Sequence, residues 1–227
     1  MVSSLPEQFN EFFKQYLVGN YLQAIEIAEH VELGIEEYEL NLVPLPTGNL
    51  RSFVTEMCYP FFVAYLATLF TVVVTEKTSS NVSIDNVNSL KYLLKRIQGM
   101  GTVSINQTLT VSQQVAKLLC ADNLFCDLTS AVKCYWRSDL IGVINIIDQL
   151  ASVGGPCNFS DGGGSVEYNP KQVVSQSLTM IQRSIRSAQY NSISGLYNLI
   201  STVDICDLVK LPKDTVLKGM YPLCALR

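Results

Sequence analysis

Residues Ser201–Met220, STVDICDLVKLPKDTVLKGM, decide the reading of the chain. Val203 and Asp204 lead into a short apolar run, Ile205, Cys206, Leu208 and Val209, which Leu211-Pro212-Lys213 interrupts. A proline disfavours helical backbone in the residue before it and cannot continue that helix. Asp214 is then placed to accept from the free N–H groups of a second helix, and Gly219 suits that helix's end. The stretch predicts two short helices joined by a tight turn, an arrangement used both to read DNA and to dock proteins. A DNA reader needs an excess of Lys and Arg against phosphate. Here Lys210, Lys213 and Lys218 are offset by Asp204, Asp207 and Asp214, which favours protein docking over nucleic acid.

Composition points the same way. The chain has 227 residues, 48% of them hydrophobic and 16% charged, with a formal net charge of −4. Its pI of about 5.0 argues against nucleic acid as the main ligand. A mean hydropathy of +0.23 predicts a large core or faces buried against partners. The opening MVSSLPEQFNEFF has neither a basic n-region nor an unbroken apolar h-region, so no signal peptide is expected. The 7 cysteines, at positions 58, 120, 126, 134, 157, 206 and 224, form no CxxC pair and no zinc-like spacing. Most fall in apolar runs and are expected as buried, reduced thiols in a cytoplasmic and nuclear protein. The sequons at Asn81, Asn106 and Asn158 are then expected to stay unused.

Met57–Val74, MCYPFFVAYLATLFTVVV, is uncharged and long enough to be a transmembrane candidate. Pro60 and the hydroxyls of Thr68 and Thr71 weaken that reading, and no basic cluster flanks the run to orient a span. A membrane-anchored helical protein is therefore the alternative of a different class. The expectation is a helix buried on all sides, with no membrane partner.

The remaining elements also read as helices. Phe9, Phe12, Phe13, Tyr16 and Leu17 recur at the spacing of an amphipathic helix that Pro6 opens and Gly19-Asn20 ends. The next helix, from Tyr21 to about Leu33, is expected to bury Leu22, Ile25 and Ile27. Leu17, Gly19, Tyr21 and Ala24 resemble the bend of a tetratricopeptide-type hairpin, without a fixed-period copy downstream. Helices are expected from Leu50 to Val74, from Asp85 to Ile97, from Val111 to Cys120, from Leu124 to Trp136 and from Leu140 to Leu150. Pro170 starts another, and Tyr190–Ile200 is expected as a separate one. Residues 154–169 are rich in Gly, Asn and Pro and read as a linker. The predicted fold is mostly α: an irregular helical-repeat region over 1–153, the linker over 154–169, and C-terminal helices with a truncated winged-helix module over 170–227.

Catalytic and metal patterns are not found. His30, the only histidine, lies beside Glu26 and Glu29 on a polar helix face, where a solvated histidine is expected. Asp161-Gly162-Gly163-Gly164-Ser165 lacks the G-K-[ST] ending of a phosphate loop. Glu36, Glu37 and Glu39 read as a solvated acidic face. No enzyme activity, cofactor, metal or small-molecule substrate is expected. Trp136, the only tryptophan, is expected to anchor neighbouring helices in the core rather than to dock a partner.

Three stretches resemble the small subunits of the PCI-domain family, the scaffold proteins of the proteasome lid, the COP9 signalosome and translation initiation factor three. They are Phe62-Val-Ala-Tyr-Leu-Ala through Asn88–Ile97, with its Leu-Lys-Arg-Ile ending, then Tyr135–Leu140 through Ile144, and then Ile185-Arg186 through Gly219. In the third, Tyr197, Leu199, Ile200, Leu208, Leu211, Pro212, Val216 and Gly219 match a tyrosine-led helix and a leucine-proline turn. The stretch after Gly219 is short for a full wing, and the Gly-rich insert is longer than the family's. The resemblance implies a non-catalytic scaffold with other PCI-domain subunits as partners, docking by winged-helix edges. It places the partner interface at Ile200, Val203, Leu223 and Leu226. Tyr197, Leu208, Leu211 and Val216 are implied as the core of the module.

Overall fold

The computed structural model describes residues 4–39, 49–78, 84–100, 110–153, 170–196, 201–209 and 211–224. The expected linker, Tyr197, Ile200 and Leu226 lie outside these. The described residues are mostly α-helical and contain no strand.

Helices α1 (Leu5–Val18) and α2 (Tyr21–Glu39) form a hairpin. Ser4 opens α1, its backbone N–H donating to the Glu7 carboxylate at 2.7 Å. Gly19 closes it in the left-handed region, at φ 83°. The Gly19 N–H then reaches Tyr16 O at 3.1 Å and the Asn20 N–H reaches Gln15 O at 2.9 Å, a Schellman closure. Ala24 is fully buried at the bend. The α2 helix runs past the predicted end at Leu33, and Leu22 is exposed rather than buried.

The apolar segment follows as a short α3 (Leu50–Ser52), a π-helical turn (Phe53–Cys58) and α4 (Tyr59–Thr78). The π turn accounts for Pro60 inside a helix. A proline has no N–H and its ring crowds the carbonyl of the residue four positions back. The chain widens by one residue just before it, the Tyr59 N–H donating to Val54 O. By length and composition Leu50–Glu76 could cross a membrane, yet 89% of its apolar window is buried inside the chain. Phe61, Val63, Leu66, Ala67, Leu69 and Phe70 are all solvent-free. The threonine hydroxyls are satisfied within the helix: Thr68 Oγ1 donates to Ala64 O and Thr71 Oγ1 to Ala67 O, both at 2.7 Å.

Around α4 pack α1, α2, α5 (Ile84–Met100), α6 (Val111–Ala121), α7 (Asn123–Trp136) and α9 (Pro170–Leu196). The α8 helix (Leu140–Val153) closes over α7 and α9. The aromatic stripe of α1 meets the π turn and α4 edge-on: Phe9 lies 6.3 Å from Phe53 and 5.3 Å from Phe61, and Phe12 lies 4.9 Å from Phe61. Tyr135, not Trp136, anchors the end of α7, its ring edge-on to Phe70 at 5.7 Å. Trp136 is 39% exposed.

The α9 helix is continuous through Leu196, where a break before Tyr190 was expected. Val174, Leu178, Ile181 and Ile185 belong to the main core, and Tyr16 and Ser177 share a buried hydroxyl hydrogen bond of 2.7 Å. The first half of α9 therefore packs in the main core. The change of core falls inside α9, between Ile185 and Tyr190.

Candidate docking surface at the C-terminal helices

Two short helices pack on the far end of α9: α10 (Thr202–Val209) and α11 (Lys213–Cys224). Ser201 caps the first, its Oγ accepting from the Asp204 N–H at 3.1 Å and donating to the Asp204 carboxylate at 2.6 Å. The Leu211 N–H folds back onto Cys206 O at 3.2 Å, and Pro212 O accepts from the Thr215 and Val216 N–H groups at 3.0 and 3.1 Å. Proline before the first residue of α11 thus makes the turn that the sequence predicts. Asp214 lies in the first turn of α11, where a carboxylate favours the helix dipole, rather than at the cap. Gly219 sits within α11, which continues to Cys224.

A small core holds the pair. Tyr190, Ile205 and Val216 are buried at its centre, with Ile193, Cys206, Val209 and Leu211 packed against them. Burial pushes the Tyr190 phenol up, with Arg186 opposing and Cys206 adding to the shift.

Of the residues expected in the module core, Val216 is solvent-free and Leu211 is half-buried. Leu208 is 48% exposed, because Ile205 fills the centre of that face of α10 and leaves Leu208 at its flank. Of the residues expected at the interface, Val203 is 63% exposed but stands in the first turn of α10, not on a strand edge. Leu223 lies in α11. Among the described side chains at this end, Val203, Leu208 and Leu217, the last at 39% exposure, are the exposed large apolar ones. The charges around them are mixed, Lys213 and Lys218 against Asp204, Asp207 and Asp214, all exposed.

Elsewhere the described residues bring together groups that sequence spacing alone leaves apart. Arg96 of α5 binds Glu32 and Glu36 of α2, at 3.0 and 2.8 Å. Glu39 accepts from the Ser112 backbone N–H at the start of α6. Glu36 and Glu39 therefore help tie helices together, while Glu36 and Glu37 remain exposed as the solvated-face reading expects; the partners lie more than fifty positions away, beyond any local pattern. His30 is exposed, as a solvated side chain. An open groove of about 520 Å³ runs between the α1–α2 bend and the end of α4, lined by Asn20, Tyr21, Leu22, Glu26, Val72 and Glu76. Among the described residues no group of three or more His, Cys, Asp and Glu side chains is placed to hold a metal ion.

Comparison with known proteins finds no matching family model, no matching curated protein and no matching solved structure.

Proposed function

We propose that the chain is a scaffold subunit without catalysis of its own, joining PCI-type subunits of a larger assembly in the cytoplasm and nucleus. The observation that carries this reading is the C-terminal helix pair. It is held to the end of α9 by its own small core and presents Val203, Leu208 and Leu217 to solvent. The order of the resembling stretches adds support: Phe62–Ile97, the Tyr135–Leu140 turn and the leucine-proline turn at Leu211-Pro212 follow one another as they do in PCI subunits. Within that family the residues favour the eighth subunit of the COP9 signalosome, whose role is to support cullin deneddylation through subunit contacts. The corresponding small subunit of the proteasome lid is the alternative. The finer architecture belongs to the same proposal: the α1–α2 hairpin as the first irregular repeat, and α10–α11 as the helical part of a winged helix.

Affinity purification of the tagged chain, followed by mass spectrometry, tests the reading. Co-purification of signalosome subunits is expected, and its loss on changing Val203 and Leu208 together to Asp. Recovery of lid subunits instead selects the alternative. Recovery of no PCI-type subunit overturns the proposal.

A further inference from the structure

Two cysteines meet across the elbow between α6 and α7. Asp122 ends α6 and caps α7, its carboxylate accepting from the Phe125 N–H at 3.0 Å and its backbone O from the Cys126 N–H at 3.1 Å. That double role folds the chain back sharply, so Cys126 in the first turn of α7 lies beside Cys120 at the end of α6. The Cys126 thiol donates to Cys120 O at 3.5 Å. Both side chains are exposed, where the sequence predicts buried thiols; among the cysteines whose burial is described, Cys58 is the buried one.

We infer that Cys120 and Cys126 form an oxidant-responsive dithiol, which a hydroperoxide converts to an intramolecular disulfide. A disulfide requires the two Cα atoms within about 7 Å, and the elbow brings the Cys126 sulfur within 3.5 Å of the Cys120 carbonyl oxygen. The chemistry has two steps. The Cys126 thiolate attacks one peroxide oxygen, breaking the O–O bond and leaving Cys126 as a sulfenic acid with hydroxide released. The Cys120 thiolate then attacks the Cys126 sulfur, forming S–S and expelling the sulfenic oxygen, which leaves as water once protonated. Both thiols lose their protons and the pair gives up two electrons; hydrogen peroxide takes both and becomes two waters. Burial, with Cys126 nearby, pushes the Cys120 thiol up, which suits Cys120 to the resolving step. The product staples the end of α6 to the first turn of α7.

The test uses the full chain, reduced and then exposed to hydrogen peroxide, with remaining thiols alkylated before peptide mapping. A linked Cys120–Cys126 peptide should replace the two alkylated peptides and disappear again on treatment with dithiothreitol. In Cys120→Ser the sulfenic acid should persist on Cys126 and react with dimedone, while the wild type should label only transiently. Either of two results overturns the inference: no linked peptide from the wild-type chain, or Cys126 joined as readily to another cysteine as to Cys120. The wild-type map decides by itself should a serine variant fold poorly.

Discussion

Arg96 Nη1 lies 3.0 Å from Glu32 Oε1, in a setting where both side chains are largely shielded from water. The ion pair does not decide the state of Glu32. Burial pushes its carboxyl up to about 7; Arg96 opposes this, and Glu36 and Glu29 add to it.

A pH dependence follows. The unfolded chain releases this proton near the ordinary value of 4.5, and the folded chain keeps it to about 7. Between those values the folded state binds more protons, so stability falls as pH rises through the window and stays lower above it. Urea denaturation of the wild type at pH 5 and pH 8 should show a loss on the order of 2 kcal/mol. Glu32→Gln should flatten the profile. An unchanged slope in that variant assigns the effect to other groups.

Arg96→Ala tests the same pair from the other side. Removing the cation leaves a buried carboxylate uncompensated at pH 8, at a cost of about 3 kcal/mol. At pH 5, where Glu32 is protonated in the folded chain, the cost should be clearly smaller. Equal losses at the two values would mean that Arg96 acts through packing of its alkyl stem.

Gly19→Ala should lower stability by about 1–2 kcal/mol, because a Cβ is crowded by the carbonyl in left-handed backbone. Thermal melting reads the loss. Gly99→Ala is the control: a Cβ there has open space, so melting should not fall.

The C-terminal pair should be separable from the main core by hydrogen exchange. Val216→Ala, at a solvent-free position, should cost roughly 1.5 kcal/mol and speed exchange in α10 and α11 while α4 stays protected. Leu208→Ser, at a half-exposed position, should stay within about 0.5 kcal/mol of wild type. A global loss of protection in Val216→Ala would mean that the two cores melt as one.

The helices were legible because their signals are local. The stripe from Phe9 to Leu17, the turn at Leu211-Pro212 and the bend at Gly19 each lie within one or two turns of chain. The dense burial of α4 was legible too, since a run apolar on every side has no face to give to water. The misplacements share a cause. Trp136 and Tyr135 are adjacent on α7, and only the packing against Phe70 decides which ring goes inward. Leu208 and Ile205 are one turn apart on α10, and the position of Tyr190 selects Ile205. Neither the Arg96 clasp on α2 nor the approach of Cys126 to Cys120 follows a helical period, because each depends on how two helices meet.

The shared hydrogen bond between Tyr16 and Ser177 joins positions separated by 161 in sequence, and α9 covers α4 as well. A ribosome releases Phe61–Val74 long before it has made Val174–Ile185. The nascent chain must therefore carry its most water-averse stretch without its final cover while the intervening helices are still being translated. Until α9 arrives, that stretch lacks one of its main covers, the condition in which exposed apolar surface on a nascent chain invites aggregation or chaperone binding.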